Sequence, residues 1–174
     1  TINVVALGLA VLGPFVGFEL PLTVMQMLRV NLIMDTFAAL ALATEPPNRE
    51  VLTRKPREST AFIVTRRMAA SIFGIGVLFL AVLVGLLLFL QNAGELANAD
   101  GPTRGSTILF TVFVLLQFWN LFNAKSMNRR GSVFPHLGNN PSFLAIAAAI
   151  LAGQFLIVQF GGEVFRTVPL GLTD

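Results

Sequence analysis

Five apolar runs divide the chain, over residues about 2–18, 22–44, 68–90, 107–124 and 142–160. The complete ones approach the roughly 20 residues that a helix needs to cross a bilayer, while a barrel strand needs only about half that length. Charged residues make up 12% of the chain against 55% hydrophobic ones, and the mean hydropathy is +0.76. A water-soluble domain covers itself with about 25% charged residues, so lipid is the expected solvent. The fold class expected is therefore all-α, a polytopic transmembrane helix bundle of about five spans.

The connections between the runs predict orientation. EPPNREVLTRKPRESTAFIVTRR, after the second run, carries Arg49, Arg54, Lys55, Arg57, Arg66 and Arg67. KSMNRRGSVFPHLGNNP, after the fourth, carries Lys125, Arg129 and Arg130. The alternate connections hold only Arg104 and Arg166. The basic loops 45–67 and 125–141 are thus expected in the cytoplasm. The net charge of +3 speaks to this topology rather than to a nucleic-acid partner. Without cysteines there are neither disulfides nor thiolate metal sites. The opening TINVVALGLA lacks the basic segment of a signal peptide and reads as a helix entered partway, so a longer parent protein is expected.

The polar residues inside these runs are the candidates for function. In VNLIMDTFAALALATEPP, Asp35 sits in the middle of the second run. A central aspartate costs on the order of 3 kcal/mol to insert, so it is expected to be paired, or to line a cavity or an ion path. Arg29, six residues away, lies on another face, and no run other than the second has a basic residue in its middle. Asn31 lies one turn before Asp35 on the same face. An amide and a carboxylate offer hard oxygens of the kind calcium prefers. Asn3, Gln117, Asn120 and Asn123 add amides, which serve either as ligands or as hydrogen-bonding glue between helices. Gly74, Gly76 and Gly85 are read as sites of close helix contact. Glu45, at a helix end, and His136, in a loop without a partner, are not read as ligands.

VNLIMDTFAALALATEPP resembles the sixth transmembrane helix of P-type calcium-transporting ATPases of the plasma-membrane type and their bacterial relatives. TINVVAL resembles the second half of their fifth helix, and TILFTVFVLLQFWNLFNAKS their eighth. Arg29 departs from the family, which usually has tryptophan there. The resemblance implies that the chain is the C-terminal part of the membrane domain, its runs matching the fifth to ninth helices. It implies that Asn31, Asp35 and Asn3 match calcium ligands, with a glutamate and backbone carbonyls supplied by a fourth helix that is not in this sequence. Two-site pumps of the sarcoplasmic-reticulum type have a glutamate where this chain has Ala6, a threonine where it has Met34 and a glutamate where it has Gln117. A single Ca2+ per cycle is the implied result.

The resemblance also implies partners: the bilayer, the first to fourth helices of the same pump, and a phosphorylation domain touching the loop Glu45 to Arg67. ATP and Mg2+ would bind outside this chain, which contains no DKTGT or TGES-type motif. The chain alone is expected neither to hydrolyse ATP nor to pump. The competing reading is a helical membrane scaffold or a secondary carrier in which Asp35 couples protons.

Overall fold

The computed structural model describes residues 1–17, 24–44, 62, 64–96, 101–126 and 140–171. Among these residues the chain is helical, with no strand. Helix α1 spans Ile2–Leu12 and runs into a 3-10 turn at Gly13–Val16. Pro14 lies in the first turn of that 3-10 segment, and Gly17 ends it with φ 92°. A left-handed backbone of that kind is cheap only for glycine. Helix α2 spans Val24–Ala43, α3 Arg66–Asn92, α4 Arg104–Ser126 and α5 Pro141–Phe160, followed by a one-turn α6 at Gly162–Phe165.

Side-chain caps set three of these starts, one of them at α4, where Thr103 accepts from the Ser106 amide at 3.0 Å. Thr65 accepts from the Met68 amide at 3.2 Å before α3, and Asn140 accepts from the Phe143 amide at 3.0 Å before α5. Each satisfies a donor that the helix itself leaves unpaired. Pro141 follows Asn140 at the first helical position, where its missing N–H costs nothing.

Helices α3, α4 and α5 contain stretches long and apolar enough to cross a membrane. Within the described residues, Ile2–Phe15 and Met34–Ala43 are shorter apolar helices. The 11 residues of α1 rise about 16 Å, roughly half a hydrocarbon core. The molecule is thus the helical membrane bundle expected, with three of its helices of full spanning length.

Helix α4 is central and packs against α2, α3 and α5, while α1 lies on α3, and α5 also lies on α2. Two cores result. In the first, Val5 and Leu9 of α1 meet Leu83 and Leu87 of α3 and Leu109 and Phe110 of α4. In the second, Ala41 of α2 meets Phe118 and Leu121 of α4 and Phe143, Ala147 and Ile150 of α5. Lipid is as apolar as leucine, so dispersion and close fit, rather than escape from water, hold these faces together.

The glycines of α3 divide. A Cβ on Gly76 would meet Thr1, Val4 and Val5 at 3.9–4.0 Å, which makes it a contact point with α1. Gly74 and Gly85 are exposed and have nothing within 4 Å among the described residues, so they are not contact glycines there. Helices α1 and α3 also approach closely at Gly8, where a Cβ would come within 2.9 Å of Leu80.

Residues 161–171 fold back over the end of the bundle. Thr167 Oγ1 donates to the Ile157 carbonyl at 3.0 Å, and Gln159 Nε2 donates to the Leu170 carbonyl at 2.8 Å. The Val168 amide donates to Oγ1 of the buried Thr107 at 2.9 Å. These bonds tie the tail to α4 and α5. On the neighbouring turn Arg104 pairs with Glu95 at 3.2 Å, half-exposed and worth little.

Candidate functional site

Helices α1, α2 and α4 bring polar residues to one cavity. A cavity of about 280 Å³ is lined by Asn3 of α1, by Asp35, Ala38 and Leu42 of α2, and by Gln117, Asn120 and Ala124 of α4. A narrower pocket of about 20 Å³ runs beside it, between Met34, Asp35, Gln117, Phe118 and Ile150. Asp35 borders both. The helical reason is spacing: residues 35, 38 and 42 of α2, and 117, 120 and 124 of α4, recur at three and four residues and form one stripe on each helix.

Asp35 has no ion-pair partner among the described residues. A carboxylate with no counter-ion beside an open cavity is a group that a cation can reach. Asn3 and Asp35 are exposed toward this space, and Asn120 is half-buried. Asn31 lies in α2 one turn before Asp35, but its side chain is outside the described residues. So are Glu45, His136, the side chain of Arg29 and most of both basic loops.

Gln117 is the anomaly. It is 4% exposed, and neither its Nε2 nor its Oε1 has a hydrogen-bond partner. Among the described residues it is therefore not glue between helices. An unsatisfied buried amide costs about 1–3 kcal/mol. Gln117→Leu should accordingly raise the thermal unfolding midpoint measured in detergent with calcium chelated. A lower midpoint would mean that the amide has a partner outside this chain.

Among the described residues no three His, Cys, Asp or Glu side chains gather as a metal cluster. The cavity instead offers one carboxylate and several amides. That donor set is all hard oxygen on the acceptor side, which suits calcium and is poor for transition metals that seek imidazole or thiolate.

Three further buried polar residues are not candidates that the sequence singles out for burial. Lys125, 4% exposed, lays its Nζ 3.7 Å over the Phe143 ring. Gln154 is buried on the inner face of α5, and its Nε2 lacks a partner. Asn140 is buried between helix ends. Only Asn140 carried a local signal, the Asn-Pro pair ahead of an apolar run. Asn123 is exposed and is not among the cavity-lining residues, although it shares a helical face with Asn120.

Residues 19–174 match the model of the family "Cation transporting ATPase, C-terminus". The chain is 40% identical over 178 residues to plasma membrane calcium-transporting ATPase 2 of Oreochromis mossambicus, covering 99% of the chain and 16% of that protein. It is 40% identical to plasma membrane calcium-transporting ATPase 3 of Homo sapiens over 98% of the chain and 14% of that protein. With plasma membrane calcium-transporting ATPase 4 of Bos taurus the identity is 37%, over 100% of the chain and 15% of the relative. The chain thus spans about one sixth or less of the length of these relatives.

Proposed function

The chain belongs to the cation-transporting ATPase family, whose C-terminal membrane part it represents, and on that premise we propose that it supplies part of a single intramembrane Ca2+ site in an ATP-driven calcium pump. The observation that carries this reading is the shared cavity at which Asn3 and Asp35 meet inside an apolar bundle. Asp35 offers the ion a full negative charge, and Asn31 and Asn3 offer neutral carbonyl oxygens.

These three residues provide at most four side-chain oxygens, two from the carboxylate and one from each amide. Calcium takes six to eight. The remaining ligands come from the part of the pump outside this chain, so the isolated chain binds calcium weakly and does not pump. ATP and Mg2+ act on that other part, and the loop Glu45 to Arg67 is the segment that meets its phosphorylation domain. The basic loops face the cytoplasm in this reading.

Three positions bear on stoichiometry. Ala6 is buried in the first core, and Met34 packs against both cores. An alanine methyl and a thioether present no hard oxygen, and Gln117 presents only a neutral one. A second calcium would find its ligands missing there.

The test is reconstitution of the intact pump in vesicles, with calcium uptake measured against ATP consumed. About one calcium per ATP is expected from this ligand count. Two per ATP would refute the reading of Ala6, Met34 and Gln117. Uptake driven by a proton gradient without ATP would point instead to the carrier.

A further inference from the structure

A single amide stitches two helix ends together. Asn140 Oδ1 accepts from the Phe143 amide at 3.0 Å and caps α5. Its Nδ2 donates to the carbonyl of Thr44 at 3.3 Å. Thr44 immediately follows α2, so this carbonyl is one of those a helix C-terminus leaves unsatisfied. Asn140 is 5% exposed, which leaves water little room to replace either bond.

The surroundings make this a junction of three helices. Phe143, one turn into α5, is fully buried and meets Phe122 of α4 edge-on at 5.5 Å. Lys125, in the last turn of α4, lies over the same ring, with its Nζ 3.7 Å from the Phe143 ring centre. Ala41, in the last turn of α2, has no exposed surface and belongs to the same core. The ends of α2 and α4 and the start of α5 are thus held at one place.

Asp35 lies nine residues before Thr44. The backbone between them is continuous α-helix without Pro or Gly, about 13 Å of rigid rod. A group fixed at one end of such a rod sets the height and rotation of a carboxylate at the other.

We propose that Asn140 is a positioning residue for the Asp35 site: by clamping the end of α2 to the α4–α5 pair, it makes a displacement arriving through the chain after Thr44 move α2 as a body instead of unwinding its last turn. The proposal rests on the pump reading above, because it concerns the step that links the rest of the pump to ion affinity. Asn140 is not among the residues that line the cavity.

The two jobs of Asn140 can be separated in the intact pump. Asn140→Asp keeps an acceptor for the Phe143 amide and has no N–H to give Thr44. Asn140→Ser caps as well and is too short to bridge. Asn140→Ala loses both bonds. With Asp and with Ser, ATP-driven uptake should slow roughly fivefold, while the calcium concentration for half-maximal phosphorylation stays within about twofold, the pattern of an interaction used in a conformational step. Full turnover in either of the two capping variants overturns the proposal, even where Asn140→Ala is impaired, because Asn140 is then a cap only. A calcium-affinity loss as large as the turnover loss also overturns it, since the residue would then act in binding. Failure of the pump reading looks different: phosphorylation of the unsubstituted pump would not depend on calcium, and the turnover ratio would then be read with the cation that does drive it.

Discussion

Asp35→Asn in the intact pump is expected to abolish calcium-dependent phosphorylation from ATP in the micromolar range, with apparent calcium affinity lowered on the order of 100-fold or more. The substitution is nearly isosteric. What it removes is one unit of negative charge at the cavity that Asp35 shares with Asn3, Gln117 and Asn120. Calcium affinity follows the number of charged ligands, and the described part of the cavity contains one carboxylate. The neutral amide should not unfold the protein. An aspartate in the bilayer costs on the order of 3 kcal/mol, so its replacement relieves strain on insertion. Expression and heat stability should therefore equal or exceed those of the parent while calcium dependence disappears. Asp35→Glu, which keeps the charge on a longer arm, should recover part of the response. Normal calcium dependence in Asp35→Asn would take Asp35 out of the site.

Phe143→Ala is expected to be the most destabilising single truncation at the junction of α2, α4 and α5, by about 3 kcal/mol. The ring is wholly buried in the second core. In a bilayer the transfer part of that cost shrinks, because a ring leaving the core enters lipid. The vacated volume and the lost partners remain. One partner is Phe122, with the rings 82° apart. The other is the ammonium of Lys125, buried at 4% exposure and held over the ring face. An aromatic pair and a desolvated cation–π contact each contribute about 1 kcal/mol. Phe143→Leu fills most of the volume and loses only these two contacts, so it should recover about a third of the loss. Unfolding of the purified protein in detergent micelles measures both. A cost below about 1 kcal/mol for the alanine variant would mean that the core closes over the gap.

Hydropathy and turn chemistry made the helices legible. Gly13-Pro14 marks the end of α1, and Asn140-Pro141 marks the start of α5. Asp35 could be singled out for the same reason: a carboxylate in an apolar run has an insertion cost that demands a use. Local rules reach this far because backbone groups in lipid must bond within their own helix, which leaves few alternatives to a run of some 20 apolar residues.

The faces were not legible. Phe143, Ala147, Ile150, Gln154 and Val158 are the buried residues of α5, yet neighbours of equal hydropathy, such as Phe155 and Leu156, are exposed. Three glycines of α3 look alike in the sequence, and only Gly76 touches α1. Gln117 and Asn123 are both amides of α4, one buried at the cavity and one exposed. Lys125 reads as a topological charge and is also buried, with its ammonium over the Phe143 ring.

The amino-acid sequence by itself determined that this chain forms membrane helices, where they break, and that Asp35 is their costliest intramembrane residue. Tertiary structure alone decided that Asn3, Asp35, Gln117 and Asn120 share one cavity, and that Asn140 joins two helix ends 96 residues apart. The physical reason is the solvent. Water marks the inner face of a helix by contrast, whereas lipid and protein interior are equally apolar, so only the packing of one helix on another chooses which residues meet.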